Sequence, residues 1–230
     1  MFIKTLKQIF ILLPCFILLG VLAGCMSNTN YILNKQKDKA FLVGEWKGTC
    51  KISYSSFPER NYTAIDESTY EAFVNLVADL EKRDCKTKEI MFSSYGGNVN
   101  AAIKIGLLIN KHGYHTTLQL GEGCSSACGI IFIAGKERIA LTSNTLGVSS
   151  IGFHQMSKPD ATGKRTCSEP TGPEYKIIEN YSLSILSKNI SSEFISLMKS
   201  TSCKSMTYIK ADGLVKNGIA TKINGHMWGI

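Results

Sequence analysis

Apolar positions along this chain fall into runs whose spacing predicts alternating strands and helices. The segment FLVGEWKGTCKISY, residues 41–54, alternates enough to form one or two strands. A helix follows over EAFVNLVADLEKR, with Ser68 and Glu71 reading as a capping box at its start. EIMFSS (89–94), NAAIKIGLLINK (100–111) and TTLQL (116–120) then predict strand, helix and strand. That order is a βαβ unit, whose crossover is expected to be right-handed. Beyond GEG at 121–123, ACGIIFIA is an apolar run that opens on small side chains, the pattern of a tight turn entering a buried helix. KPDATGKRTCSEPTGP (158–173) is rich in proline, glycine and charge and reads as a loop. Helices are expected at about 174–188, 191–200 and 207–217.

Three short stretches within this pattern carry chemistry. SSYGGNV (93–99) offers a glycine pair whose backbone N–H groups can approach a ligand closely. GEGCSSACGIIFIAG (121–135) presents serines at the entrance of a helix, beside unpaired N–H groups and the positive dipole end. IGFHQM (151–156) supplies a histidine able to serve as base. A nucleophilic hydroxyl, a base and donors for an oxyanion are the parts of a serine hydrolase. Taken alone, Ser125 or Ser126 before an apolar run is an ordinary helix cap.

The order of these motifs resembles the proteolytic subunit of the Clp protease, within the crotonase-like superfamily. That family has a helix, a strand ending in a serine-proline-glycine-glycine turn, a helix, a strand leading to alanine-serine-methionine-glycine, and later a histidine-glutamine pair. Here KEIMFSSYGGNVNAAIKIGLLI, CSSACGIIFIAG and FHQ stand in that order, and the likeness runs from about Ala64 to Ile223. Ser126 lies nine positions before Gly135, as the family spacing has it, so Ser126 and not Ser125 is the match. The resemblance implies an α/β, ClpP-like fold of repeated β-α units around a mainly parallel sheet. It implies Ser126 as nucleophile, His154 as general base, and the N–H groups of Gly97 and Ala127 as oxyanion hole. Tyr95 replaces the family's proline, and the spacer from Gly135 to His154 is longer than the family's. The family's aspartate falls at or near Met206, where no carboxylate stands. Loss of that triad member costs roughly ten-thousandfold in a protease that evolved with one. The third member is left unassigned: Asp160, Glu169, Glu174, Glu179 and Asp212 follow His154, and a backbone carbonyl or Asn217 could also hold the ring. A serine-lysine arrangement, as in signal peptide peptidase A of the same superfamily, has Lys136 and Lys222 as candidates.

The remaining residues bear on compartment and partners. Residues 1–24 have Lys4 and Lys7, an apolar stretch from about Ile9 to Ala23 and a small-residue end, the pattern of a secretory signal. Leu22, Ala23, Gly24 and Cys25 resemble the bacterial lipobox, which implies lipid attached to Cys25. Met26 following it favours the outer membrane, and thus its periplasmic face. Residues 25–40 read as a polar tether and 41–230 as one domain. Of eight cysteines, Cys15 leaves with the signal and Cys25 takes lipid. The even set left, Cys50, Cys85, Cys124, Cys128, Cys167 and Cys203, suggests disulfides in an oxidising compartment. Six cysteines permit 15 pairings: Cys124 with Cys128 could clamp the Ser126 turn, or either could pair with Cys50 or Cys85, and Cys167 with Cys203 could tie the loop near His154 to the last helices.

Formal net charge is +8, or +6 without Lys4 and Lys7, and the basic residues are scattered. No aromatic-interleaved basic patch indicates nucleic acid. His112, His115 and His226 form no metal-ligand pattern, and no cofactor fingerprint is present. The expected function is a serine hydrolase of the cell envelope, a peptidase taking a peptide or acyl substrate. The alternatives are a catalytically inactive peptide-binding lipoprotein on the same fold, or an acyl-ester or thioester hydrolase. No metal, cofactor or ATP-driven unfoldase is expected, and the resemblance leaves room for a homo-oligomer.

Overall fold

The computed structural model describes residues 32–36, 39–46, 48–55, 64–120, 123–144 and 146–225. The signal segment, Cys25 and His226 lie outside the described residues. Antiparallel strands come first: β1 (Ile32–Gln36), β2 (Lys39–Trp46) and β3 (Thr49–Ser55) form a meander. Strand structure thus begins before residue 41, inside the stretch that reads as a tether. In β3, Cys50, Ile52 and Tyr54 are buried and Lys51 and Ser53 are not, the alternation of a pleated strand with one covered face.

Helix α1 (Glu67–Glu81) buries Phe73, Leu76, Val77 and Leu80. Its cap differs from the expected one: Asp66 accepts from Thr69 N–H at 2.9 Å, and the Asp66 N–H donates to Thr69 Oγ1 at 3.1 Å. Ser68 instead donates to the Asp66 carboxylate, so the box is Asp66 with Thr69 and not Ser68 with Glu71. β4 (Thr87–Ser93), α2 (Val99–His112) and β5 (His115–Leu118) make the expected βαβ unit, with β4 and β5 parallel. Asn98 caps α2, and Gly113 ends it in the left-handed conformation at φ 66°.

The short strand β6 (Cys124–Ser125) then leads into α3 (Ala127–Phe132), all six of whose residues are buried. β7 (Arg138–Ser143), β8 (Gly147–Val148) and β9 (Ser150–Phe153) follow. The segment expected to be loop forms a hairpin, β10 (Ser157–Pro159) with β11 (Arg165–Cys167). Asp160 closes its turn, accepting from the N–H groups of Thr162 at 2.8 Å and Lys164 at 3.0 Å. α4 (Pro173–Ile185) and α5 (Lys188–Ser200) are as expected to within a few residues. The helix expected over 207–217 divides into β12 (Thr207–Lys210) and α6 (Ala211–Lys216), before β13 (Lys222–Gly225).

The described strands assemble into a main sheet in the order β1-β2-β3-β4-β5-β7-β13, with β8 on β7. All its pairings from β3 through β13 along that path are parallel. A second sheet has the order β12-β9-β6, with β6 and β9 parallel and β9 and β12 antiparallel. β6 ends at Ser125 and β9 at Phe153, and because Ser125 pairs with Gly152 in parallel, Ser126 and His154 leave the sheet at the same end. The six cysteines are paired as Cys50–Cys85, Cys124–Cys128 and Cys167–Cys203.

Candidate active site

Ser126 stands between β6 and α3 with φ 54° and ψ −122°, the only positive φ outside glycine among the described residues. A non-glycine residue there costs about 1–3 kcal/mol and persists only where its surroundings over-determine it. They do so here. Ser126 N–H donates to the Gly152 carbonyl at 2.8 Å, Ser125 N–H to Ser94 at 2.8 Å, and Ser94 N–H to Gly123 at 3.0 Å. The Cys124–Cys128 disulfide spans the turn, with Cα atoms 5.2 Å apart. Although Ser126 occupies the N-cap position, its hydroxyl makes no capping bond. The ordinary cap role therefore does not account for it. Its neighbour Ser125 is fully buried, with its Oγ lodged beside Gly152.

The glycine pair lies directly against this turn. A Cβ on Gly96 would come within 2.8 Å of both the Ser125 carbonyl and Ser126 Cβ, and 3.0 Å of the Ala127 nitrogen. Gly96 and Gly97 have φ of 103° and 150°, which favour glycine. Gly97 is wedged on Ile65, whose N–H donates to Gly96 at 2.9 Å and whose carbonyl accepts from Asn98 at 2.6 Å. Those bonds leave the Gly97 N–H without an acceptor among the described residues, and the same holds for Ala127 N–H at the first position of α3. Two unsatisfied donors beside a serine hydroxyl can stabilise an anionic oxygen.

His154 follows β9 and lines a cleft of about 560 Å³ together with Ser126, Gly96, Gly97 and Tyr95. No hydrogen bond joins its ring to the Ser126 hydroxyl; contacts of this kind commonly tighten only as substrate reacts. The ring's Nδ1 is 2.6 Å from the Gln155 carbonyl. A carbonyl only accepts, so Nδ1 carries a proton, and the neutral tautomer compatible with this contact leaves the lone pair on Nε2. Gln155 is itself anchored, its N–H donating to Thr201 at 2.7 Å and its side-chain amide to Lys199 at 3.1 Å.

None of the candidate carboxylates touches this ring. Asp160 serves the hairpin turn, and Glu169, Glu179 and Asp212 are exposed. Glu174 does line the cleft, but its carboxylate accepts from Lys158 at 3.2 Å. Its own backbone N–H, and then Lys158, hold the Glu174 carboxyl below the usual carboxylate range. Asn217 closes α6, away from the cleft lining. The lysine candidates are elsewhere too: Lys222 pairs with Glu137 at 2.6 Å, and neither it nor Lys136 lines the cleft. His112 and His115 face Glu81 and Glu137 at 3.5 and 3.4 Å. The hairpin adds what sequence patterning missed: Ser157, Lys158 and Arg165 form one wall of the cleft, and Cys167–Cys203 fastens that wall. Alternation is invisible in strands three residues long.

No protein-family model matches the sequence, and no curated protein matches it. Solved structures do match. An alanine mutant of 1510-N, a membrane-bound stomatin-specific protease, is 14% identical over 70% of this chain and 75% of its own, with a TM-score of 0.54. A second alanine mutant of the same protease, in complex with a substrate peptide, is 15% identical over 70% and 71%, with a TM-score of 0.55. An enoyl-CoA hydratase from Geobacillus kaustophilus is 12% identical over 85% of this chain and 71% of its own, with a TM-score of 0.52. What a protease and a hydratase share with this chain at such identities is architecture, so the chain has the ClpP-like, crotonase-like α/β fold.

Proposed function

We propose that this chain is a serine-type peptidase of the cell envelope, in which Ser126 attacks a peptide carbonyl and His154 takes and returns the proton. The observation that carries this reading is the strained, uncapped Ser126, fixed in a cleft beside two N–H donors without an acceptor among the described residues and a histidine whose Nδ1 faces a carbonyl. Attack would move the Ser126 proton to His154 Nε2 as the Oγ–carbon bond forms. The carbonyl oxygen, now anionic, would accept from Gly97 and Ala127 N–H. Collapse would expel the amine, protonated by His154, and water would then release the acyl group from Ser126. A peptide substrate suits the open cleft, and the proteases among the structural neighbours support it. Lipid on Cys25 would hold the enzyme at the periplasmic face of the outer membrane. No helix among the described residues is long and apolar enough to cross a membrane.

One observation favours a second reading, peptide capture without cleavage: Met206 stands where the family has its aspartate. Fluorophosphonate labelling separates the two. The peptidase takes the label on Ser126 and loses it in Ser126→Ala. Oxidised protein that takes no label is a binder.

A further inference from the structure

We propose that the main-chain carbonyl of Gln155 does the orienting work of a triad carboxylate, and that the Gln155 side chain is the positioning residue that holds it there. This rests on the Ser126–His154 reading. The carbonyl lies 2.6 Å from His154 Nδ1. The large cost of replacing a triad aspartate by its amide comes from the wrong imidazole tautomer. A carbonyl cannot donate, so it enforces the right one. What it lacks is the negative charge that would stabilise the imidazolium.

A peptide carbonyl directs a ring only if its own plane is fixed, and the chain on both sides is held. The Gln155 N–H donates to Thr201, its amide donates to Lys199, and the next N–H, of Met156, donates to the Tyr175 hydroxyl at 3.1 Å. Thr201 and Lys199 are the last carbonyls of α5, a helix of 13 residues seated on β9 through Phe194 against Phe153, with ring centroids 5.7 Å apart. The negative end of that helix dipole therefore lies behind the histidine and partly supplies the missing charge. On the other side, Thr207 pairs with Phe153, so Met206 sits across from His154. Its thioether packs on Gly152, two residues before His154: a Cβ on Gly152 would meet Met206 Sδ at 2.8 Å. An acid there could reach the ring, and a methionine cannot.

The test uses the full chain with its disulfides intact. Nitrogen-15 NMR of the neutral wild-type protein should show His154 protonated on Nδ1 and bare on Nε2. Gln155→Met keeps the side-chain length and loses the donor to Lys199. It should weaken that tautomer preference and slow fluorophosphonate labelling of Ser126 by about 10²- to 10⁴-fold. Adding Met206→Asp to that variant should restore at least about tenfold of the loss, because the carboxylate takes over Nδ1. If Gln155→Met does not fold, Met206→Asp alone decides, and should label faster than wild type. An Nε2-protonated wild-type ring overturns the proposal. So does unchanged labelling in Gln155→Met, or, where Met206→Asp alone decides, unchanged labelling in that variant. A wild type with the expected tautomer and no label on Ser126 overturns the peptidase reading instead, and this proposal's catalytic part with it.

Discussion

The two sides of the cleft are built differently. On the Ser126 side, position is enforced by a disulfide, a network of three backbone hydrogen bonds to neighbouring segments and a glycine turn packed at contact distance. On the His154 side it depends on one carbonyl and on the end of a helix far along the chain. The nucleophile half is over-determined by several independent contacts, one local and the rest tertiary, and the base half is held by a few tertiary ones. A strained serine needs the first kind of support, since relaxation would erase its geometry. An imidazole at the end of a strand needs only a direction.

The comparison breaks outright if Ser126→Ala retains activity. The variant should lose about 10⁶ in kcat, the scale seen when a triad nucleophile is removed, in any peptide or ester assay. Gly97→Ala comes next, because its Cβ would lie 2.2 Å from the Ile65 carbonyl oxygen at a φ that favours glycine. It should cost about 1–3 kcal/mol of stability in denaturant titration. Moving the donor by about an ångström should slow labelling about 10²-fold.

Disulfides sharpen the contrast. Removing Cys50–Cys85, which closes a loop of 35 residues, should lower stability by about 4 kcal/mol and leave Ser126 labelling unchanged. Removing Cys124–Cys128, four residues apart, should cost only about 2 kcal/mol yet slow labelling about tenfold or more. Equal effects of the two on labelling would mean that the clamp does not hold the turn. The smallest effect belongs to Glu174, whose carboxyl is held low first by its own backbone N–H and then by Lys158. Because the folded value is depressed, its contribution is present above the unfolded carboxyl's pKa of about 4.3 and is lost as pH falls through the lower folded value. Melting temperatures of wild type and Glu174→Gln should differ at neutral pH and converge in acid. A pH-independent offset would remove the charge from that explanation.

Local features were legible in the sequence where the determinants are themselves local. The βαβ unit from β4 to β5, the buried α3 and the pairing of Cys124 with Cys128 follow from spacing, small residues or the family resemblance. The family resemblance points to Ser126, Gly97, Ala127 and His154, of which Ser126, Gly97 and His154 line one cleft and Ala127 follows Ser126 at the start of α3. What stayed hidden depends on partners distant in sequence. TYIK looks like the lead into ADGLVK and becomes strand only because β9 offers it an edge. Ser68 and Glu71 match a capping box, but Asp66 reaches the N–H of Thr69 first. The Gln155 carbonyl is a backbone atom, and no residue type announces it.

The most direct measurement is a crystal structure of the chain after reaction with a fluorophosphonate. The phosphoryl group should be bonded to Ser126 Oγ, with one oxygen about 2.7–3.1 Å from both Gly97 and Ala127 nitrogens. His154 Nε2 should face the same oxygen of Ser126, with Nδ1 still on the Gln155 carbonyl. An unmodified Ser126 in fully oxidised protein, or an adduct whose oxygen turns to solvent, would contradict the account.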